Sequence, residues 1–144
     1  MRRRLIVVVL AALVFAVGGL ILASRGRDDA DNPAPADALG LETRTVTAGE
    51  VDIEIQPSQL DDQGAVFAIT LDTHSVELSA DLTRASLEVA GVTWPVEAWS
   101  GDEPGGHHRE GELRFASAGS ATGTIRLVLP DFSEPVDVTW ETAG

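Results

Sequence analysis

The sequence predicts an all-β fold: an immunoglobulin-like antiparallel β-sandwich of about seven or eight strands, preceded by one N-terminal transmembrane helix. Three observations support this prediction. From Glu42 onward, short runs alternate apolar with polar residues, which is the pattern of a strand with one buried face. Turn-forming residues separate these runs, and many short strands with turns between them are typical of a sandwich or barrel. The one long apolar run lies at the amino terminus.

A transmembrane anchor is predicted in this first segment. Arg2, Arg3 and Arg4 precede residues 5–24, a run of twenty residues that contains no charged side chain. A helix of that length extends about 30 Å, which matches the hydrocarbon core of a bilayer. Basic flanks remain in the cytoplasm. We therefore expect residues 1–27 to form a signal anchor with a single membrane span, and the rest of the chain to lie outside the cytoplasm.

A cleaved signal peptide is the alternative for this segment. Secretory signals have a basic start, an apolar run of about 7–15 residues and a small-residue cleavage site. The apolar run here is longer than that, and its best cleavage sites, which end at Ala23 or Ser24, are poor. No cysteine follows the run that a lipid could modify. The sequence therefore favours an uncleaved anchor in the cell membrane.

A linker and one domain follow the anchor. Residues 28–41 predict a flexible linker, because Pro33 and Pro35 disfavour helix and the Asp and Ala residues around them offer little to bury. Residues 42–144 then form one extracytoplasmic domain, which is large enough to bury most of its unfolded surface. The chain has no cysteine, so this domain must hold together by packing rather than by disulfides.

The charge of the exported part restricts its partners. All ten basic residues of the chain are arginine, and five of them precede the linker. Residues 28–144 carry 23 acidic residues against five arginines, a formal charge of −18. Such a surface repels phosphate backbones, so nucleic acid is not expected as a partner. The acidity either attracts cationic groups or serves only to keep an exported domain soluble.

The first half of the domain contains the clearest strand patterns. Val51, Ile53 and Ile55 alternate with acidic residues, and residues 65–72 alternate again after a turn at residues 61–64. The other elements predicted in this half are a short strand at residues 76–78 and a possible helical turn within residues 80–91.

The second half begins with a predicted hairpin around Gly91, formed by residues 87–89 and 92–99. Pro95 indicates an edge strand or a bulge, because proline has no amide proton to donate to a sheet. The other predicted elements are a polar loop at 100–110, strands at 113–115, 125–129 and 136–140, and a turn at 117–122. The tryptophans are expected in the core or at its rim: Trp94, Trp99 and Trp140.

Histidines are the candidate metal ligands. His74 follows a predicted strand, and His107 and His108 lie in the polar loop. Loops at one end of a sandwich can converge, and imidazole binds copper, zinc and nickel. One hypothesis is therefore a copper or zinc site formed by His74 with His107 or His108, and completed by a nearby carboxylate such as Asp72. Other carboxylates in reach are Asp102, Glu103 and Glu110.

Structural and regulatory roles for these histidines stay open. His74 and His107 are each placed where a ring nitrogen can donate to a loop carbonyl, which is a purely structural role. Histidine also suits a protein contact or a pH-sensitive switch. No C-x-x-C or H-E-x-x-H spacing adds specificity to the metal hypothesis.

Catalytic motifs are absent from the sequence. It contains no G-x-S-x-G nucleophile elbow and no cysteine nucleophile. Paired carboxylates of the kind that hydrolyse sugars are indistinguishable from surface acids in a chain with 23 of them. We therefore do not expect an enzyme, and the sequence indicates no catalytic residues and no bound cofactor.

Two segments together resemble an uncharacterised group of bacterial exported or membrane-anchored domains. That group carries a D-T-H-S-V-[DE]-L segment and, some thirty residues later, a G-G-H-H-R-x-G-x-L-x-F segment. The matching residues here are Asp72, Thr73, His74 and Ser75, and then Gly105 or Gly106, His107, His108, Arg109, Gly111, Leu113 and Phe115. The resemblance covers about residues 50–141 and implies an architecture but no activity. It fits a histidine cluster, and it equally fits a folding signature in which Gly105 and Gly106 form a turn and Arg109 pairs with Asp72.

Two functional hypotheses follow. The first is a non-catalytic interaction or accessory domain that is held on the membrane through residues 5–24 and docks an envelope protein. The second is a copper- or zinc-binding envelope protein that uses His74 with His107 or His108.

Overall fold

The computed structural model describes residues 39–144. The predicted anchor at residues 5–24 and nearly all of the predicted linker lie outside the described residues. Within residues 39–144, no helix has the length and apolar character needed to cross a membrane.

Two antiparallel sheets form the domain, as the sequence predicts. The strands are β1 (Arg44–Ala48), β2 (Val51–Asp61), β3 (Gly64–Thr73), β4 (Ser86–Val89), β5 (Val92–Trp94), β6 (Val96–Gly101), β7 (His108–Ala116), β8 (Thr124–Leu129) and β9 (Val136–Glu141). The larger sheet has the order β1-β2-β3-β7-β6, and the smaller sheet has the order β5-β4-β8-β9. The described residues thus contain nine strands, one more than the upper end of the prediction.

The core lies between the two sheets. Strands β8 and β9 bury alternate residues, as do β2 up to Pro57 and β3 from Phe67 onward, which is the period-2 pattern that the sequence shows. The first four residues of β3 are all buried. Phe67 of the larger sheet contacts Trp140 of the smaller sheet with ring centroids 5.7 Å apart, and it meets Phe115 edge-on at 5.9 Å. Trp94 and Trp140 are buried, and Trp99 packs against the core at its rim. The predicted placement of all three tryptophans is confirmed.

Pro95 marks the point where the chain passes from one sheet to the other. It lies between β5, an edge strand of the smaller sheet, and β6, an edge strand of the larger sheet. Its missing amide proton therefore interrupts no ladder, and its carbonyl accepts from the amide of Ala116. Pro95 thus lies between two edge strands rather than within the edge strand or bulge that the sequence predicted.

Three details differ from the sequence prediction. Residues 76–78 are not a strand, because Leu78 bonds through its backbone to the loop residues Gly105 and Gly106 instead of to a neighbouring strand. The polar loop is shorter than predicted, because β6 extends to Gly101 and β7 begins at His108. Strand β1 was not expected, since threonines and Arg44 weaken its apolar alternation.

The predicted helical turn is present as a single 3-10 turn at Leu82–Arg84. Asp81 caps it, because its side chain accepts from the amide of Thr83 at 3.0 Å. The hydroxyl of Thr83 also donates to Asp81, at 2.6 Å. This bond and the one from the amide lower the pKa of Asp81 below its usual value.

Four connections lie at the same end of the sandwich. They are the β1–β2 turn, the β3–β4 connection, the β6–β7 loop and the β8–β9 loop. The register of the larger sheet places the first three together. Direct contacts add the β8–β9 loop to them. The amide of Asp81 donates to Asp131 at 2.7 Å, and a Cβ atom on Gly49 would overlap the Ser133 side chain. We call this end the strap end, after residues 74–81, the strap, which lead from β3 to the 3-10 turn.

Candidate functional site

The two segments that carry the resemblance lie side by side at the strap end. The amide of Thr73 donates to the carbonyl of His107 at 3.0 Å. The amide of Leu78 donates to Gly106 at 3.0 Å, and its carbonyl accepts from Gly105 at 2.9 Å. Gly105 and Gly106 have φ values of 124° and 71°, which non-glycine residues rarely adopt. Residues 72–78 and 105–109 are therefore one structural unit, and the predicted glycine turn is part of it.

Asp72 and His108 form the side-chain contact of this unit. They are register partners on β3 and β7, and both point to the outer face of the larger sheet. His108 Nδ1 lies 2.7 Å from Asp72 Oδ1, and His108 Nε2 lies 3.7 Å from Glu110 Oε2. The hydrogen bond with Asp72 raises the pKa of His108, the carboxylates of Asp72 and Glu110 add to that effect, and partial desolvation opposes it.

His74 and His107 occupy different positions in the unit. Both side chains are exposed, and His107 contributes its backbone carbonyl rather than its ring to the contact with Thr73. The structure therefore joins Asp72 to His108 and brings the backbones around His74 and His107 together. Residues 39–144 contain no group of three or more side chains that could hold a metal ion. A copper or zinc site at these histidines stays a prediction from the sequence.

Arg109 does not pair with Asp72, so that expectation is wrong. Neighbouring residues of a strand point to opposite faces. Because His108 takes the outer face beside Asp72, Arg109 must point inward, on the same face as Leu113 and Phe115. The R-x-G-x-L-x-F spacing already contains this signal, since every second residue after Arg109 is glycine or apolar.

The buried Arg109 guanidinium forms hydrogen bonds to the strap. Only 1% of the residue is exposed. Its NH1 donates to the carbonyls of Leu78 at 3.0 Å and Ala80 at 2.8 Å, and NH2 donates to the carbonyl of Asp102 at 3.4 Å. Burial lowers the pKa of Arg109, while the negative charges of Asp102 and Asp81 oppose that change. A charged group that bonds to three carbonyls ties two loops to the inner face of β7.

Trp99 covers this arginine at the rim of the core. Its ring centroid lies 5.8 Å from the guanidinium carbon of Arg109, a distance that allows a cation–π contact. Its indole nitrogen donates to the carbonyl of Asp102 at 3.0 Å. The ring fits because Gly101 and Gly111 face each other across β6 and β7 without side chains. This close approach explains why Gly111 stands two residues after Arg109 in the R-x-G part of the motif.

A cleft of ≈ 280 Å³ opens on the other side of the strap. The β1–β2 turn, the strap and the β8–β9 loop form its walls. The apolar residues that line it are Ala48, Val51, Val76, Leu78, Ala80 and Phe132. Glu50, Glu77 and Asp131 are the acidic residues among those that line it. Sequence reasoning missed this cleft, because its walls are distant in the chain.

The outer face of the larger sheet is acidic. Its carboxylates come from three adjacent strands: Asp52, Glu54, Asp72, Glu110 and Glu112. Asp52 and Asp72 are direct register partners, and Glu54 is separated from Glu110 by Thr70 alone. On this face His108 contacts Asp72, and Arg114 pairs with Glu112. The face thus carries more acid than its own cations neutralise.

Comparison with known proteins finds a distant structural likeness. No family model matches the chain, and no curated protein matches it. Among solved structures, the secreted protein MPT63 of Mycobacterium tuberculosis is similar, with a TM-score of 0.41 and 21% sequence identity. That alignment covers 72% of this chain and 93% of MPT63. Nothing about the function or location of this chain follows from a likeness of that size.

Proposed function

We propose that this chain is a non-catalytic binding domain, held outside the cytoplasm by its N-terminal anchor, and that it docks a cationic envelope protein. The docking surface is the outer face of the five-stranded sheet. The observation that carries this proposal is the set of exposed carboxylates on β2, β3 and β7, and we call this surface the acidic face. A surface of one charge sign attracts a partner of the other sign and speeds its association.

The arrangement of these acids favours binding over solubility alone. Like charges directly opposite each other on neighbouring strands destabilise a sheet, as Asp52 and Asp72 do here. Acids that serve only solubility gain nothing from such positions. The smaller sheet differs, because Arg126 pairs with Asp137 across β8 and β9 on its outer face. The outer face of the smaller sheet also carries more acid than base, with Glu88, Asp137 and Glu141 against Arg126, but the excess on the larger sheet is greater.

The extracytoplasmic location in this proposal comes from the sequence. Arg2, Arg3 and Arg4 precede the uncharged run at residues 5–24, which gives the orientation of a single-pass anchor. The domain lacks cysteine and carries only five of the chain's arginines. We retain the immunoglobulin-like description of the sandwich as part of the proposal, since such sandwiches frequently serve as binding modules.

Charge reversal on the acidic face tests the proposed function. The full-length protein with a C-terminal affinity tag is used to capture partners from detergent-solubilised membranes, and the Glu54→Lys/Glu110→Lys variant is compared with it. We expect the wild type to retain a basic protein. Salt at about 0.5 M should release this protein, because salt screens exposed charges. The double variant should lose that protein.

A matched control separates this effect from a general change in charge. Asp62→Lys/Glu88→Lys makes the same change of charge at the β2–β3 turn and on the smaller sheet, so it should capture the partner as the wild type does. The proposal fails when the tagged protein recovers only itself. It also fails when the Glu54→Lys/Glu110→Lys variant retains the same protein as the control.

A further inference from the structure

We propose that the cleft beside the strap binds a lysine side chain of the protein partner. This inference rests on the proposed function and names the group that the partner inserts. The size of the cleft, the acidic residues that line it and the hydrogen bonds that hold its walls each support it.

The cleft matches a single long side chain in size and polarity. Small-molecule sites usually have volumes of about 300–1,000 Å³, and this cleft is smaller, at ≈ 280 Å³. Leu78 and Val51 are buried, and Val76 and Phe132 are partly buried against the core. An aliphatic stem that enters the cleft therefore meets apolar walls on several sides.

Two carboxylates at the cleft have no cation of their own. Asp131 is engaged, because it accepts from Arg84 NH1 at 2.9 Å and from the amide of Asp81. Glu50 and Glu77 are exposed, and among the described residues neither carboxylate forms an ion pair. A cleft lined by both apolar and acidic residues favours a ligand with an apolar stem and a positive head.

Lysine meets this description better than arginine. Its ammonium is a compact charge on a four-carbon stem, and such side chains bury the stem while the head stays near water. Arginine prefers a carboxylate that receives its planar fork in a bidentate manner. Here Glu50 lies in the β1–β2 turn and Glu77 lies in the strap. The compact ammonium of a lysine can approach carboxylates from two segments more readily than a planar guanidinium can.

The occupant must come from a different protein. This chain contains no lysine, so neither its own N-terminal segment nor a second copy can supply the side chain. The linker that precedes the domain is acidic and would be repelled by Glu50 and Glu77. A basic partner, by contrast, presents lysines to the acidic face and to the cleft alike.

The unit formed by residues 72–78 and 105–109 gives the cleft rigid walls. Arg109 bonds to the carbonyls of Leu78 and Ala80, two residues of the strap that line the cleft. Gly105 and Gly106 fix Leu78 from the loop side. On the opposite wall, the hydroxyl of Thr73 donates to the carbonyl of Glu50 at 2.7 Å. A site that is ordered before binding loses less entropy when it binds. Arg109 is thus a positioning residue for the cleft.

Two small probes test this inference without a partner. Nα-acetyl-lysine amide and its neutral isostere Nα-acetyl-norleucine amide are titrated into the full-length protein in non-ionic detergent. Methyl NMR signals of Val51, Val76 and Leu78 report on the cleft. We expect saturable shifts with the lysine probe and binding of the norleucine probe that is weaker by about fivefold or more, since two exposed ion pairs are lost.

Variants of the two free carboxylates complete the test. Glu50→Gln/Glu77→Gln should weaken the lysine probe to the affinity of the norleucine probe, whereas Glu54→Gln/Glu110→Gln on the acidic face should leave it unchanged. The inference is overturned when the lysine probe gives no saturable shift, when both probes bind equally, or when the Glu50→Gln/Glu77→Gln variant binds like the wild type. The probe titration contains no partner protein. A failed capture experiment therefore leaves the titration result intact, and a failed titration leaves the capture result intact.

Discussion

His108 Nδ1 and Asp72 Oδ1 lie 2.7 Å apart on the outer face of the larger sheet, and they join the two motif segments through their side chains. The contact has an electrostatic consequence. Asp72 faces Asp52 on one side and His108 on the other. A protonated His108 therefore relieves the repulsion between two neighbouring carboxylates.

The first prediction concerns the pKa of His108. In the wild type this pKa is raised, first by the hydrogen bond with Asp72. We expect Asp72→Asn to lower it toward the ordinary value of about 6.5, as measured by NMR titration of the ring protons. Glu134→Gln in the β8–β9 loop is the control and should leave it unchanged. An unchanged His108 pKa in the Asp72→Asn variant would show that the contact is not formed in solution.

The second prediction concerns pH and stability. A group whose pKa is raised on folding contributes stability below its unfolded pKa, and that contribution is lost as pH rises through its folded pKa. His108 is such a group. The wild type should therefore exceed the Asp72→Asn variant in thermal stability below about pH 6.5. This advantage should disappear as the pH rises past the pKa of His108, where the variant also gains from the lost repulsion between Asp52 and Asp72. A stability advantage of the wild type that grows with pH would contradict this prediction.

The third prediction concerns Arg109. Arg109→Ala removes the donor to Ala80 and one of the two donors to Leu78. Hydrogen bonds to charged groups contribute about 1.5–3 kcal/mol each, and a buried carbonyl without a partner costs a similar amount. We expect a loss of about 3 kcal/mol in the free energy of unfolding, measured by urea titration of tryptophan fluorescence.

Arg114→Ala is the matched control for Arg109. It removes the same side chain from the same strand, but at an exposed position on the outer face. Surface substitutions usually change stability by less than about 0.5 kcal/mol. Equal losses in the two variants would mean that Arg109 does not hold the strap.

Sequence periodicity predicted the sheets well because the sandwich depends on it. Ile53, Ile55 and Leu127 are all fully buried, at the positions where strict alternation places them. Alternation failed for residues 76–78, whose pattern is locally that of a strand. Their backbone partners are loop residues from elsewhere in the chain, and no local pattern reports that choice.

The candidate site was predictable only in part. Within β7, alternation separates His108 from Arg109 and places Arg109 on the face of Leu113 and Phe115, so the inward direction of Arg109 follows from the sequence. The acceptors of Arg109 do not follow, because Leu78 and Ala80 reach it through the path of the strap. The cleft depends on three connections that meet only in the folded chain.

The fourth prediction tests the metal hypothesis. Calorimetric titration of the full-length protein with Cu²⁺ or Zn²⁺ should give heat above dilution if the histidines form a site. His74→Ala, His107→Ala and His108→Ala combined should abolish that heat, because imidazole supplies the ligands that these ions prefer. Equal heat in the triple variant would mean that any bound metal lies elsewhere, and no heat in the wild type would refute the hypothesis.

The fifth prediction concerns the anchor. The natural chain has no cysteine, so single introduced cysteines report location without interference. We expect Ser120→Cys in the β7–β8 loop to react with a membrane-impermeant maleimide in intact cells, and Arg3→Cys to stay unlabelled. Deletion of residues 5–24 should release the protein from membranes. Labelling of Arg3→Cys, or a mature N-terminus near residue 24 by mass spectrometry, would contradict an uncleaved anchor of this orientation.

The sixth prediction concerns the close approach of β6 and β7. A Cβ atom on Gly111 would lie 2.6 Å from Gly101 Cα, 2.7 Å from the Ser100 carbonyl oxygen and 2.8 Å from Trp99 Cζ2. Gly111→Ala must therefore push β6 outward and displace the indole that covers Arg109. We expect a loss of about 1–3 kcal/mol in the free energy of unfolding, together with a red shift of tryptophan emission as Trp99 becomes exposed. Gly119→Ala is the control, since its nearest neighbour would be a Val92 methyl at an ordinary 3.7 Å. A Gly111→Ala variant as stable as this control, with unshifted emission, would show that the two strands do not approach this closely.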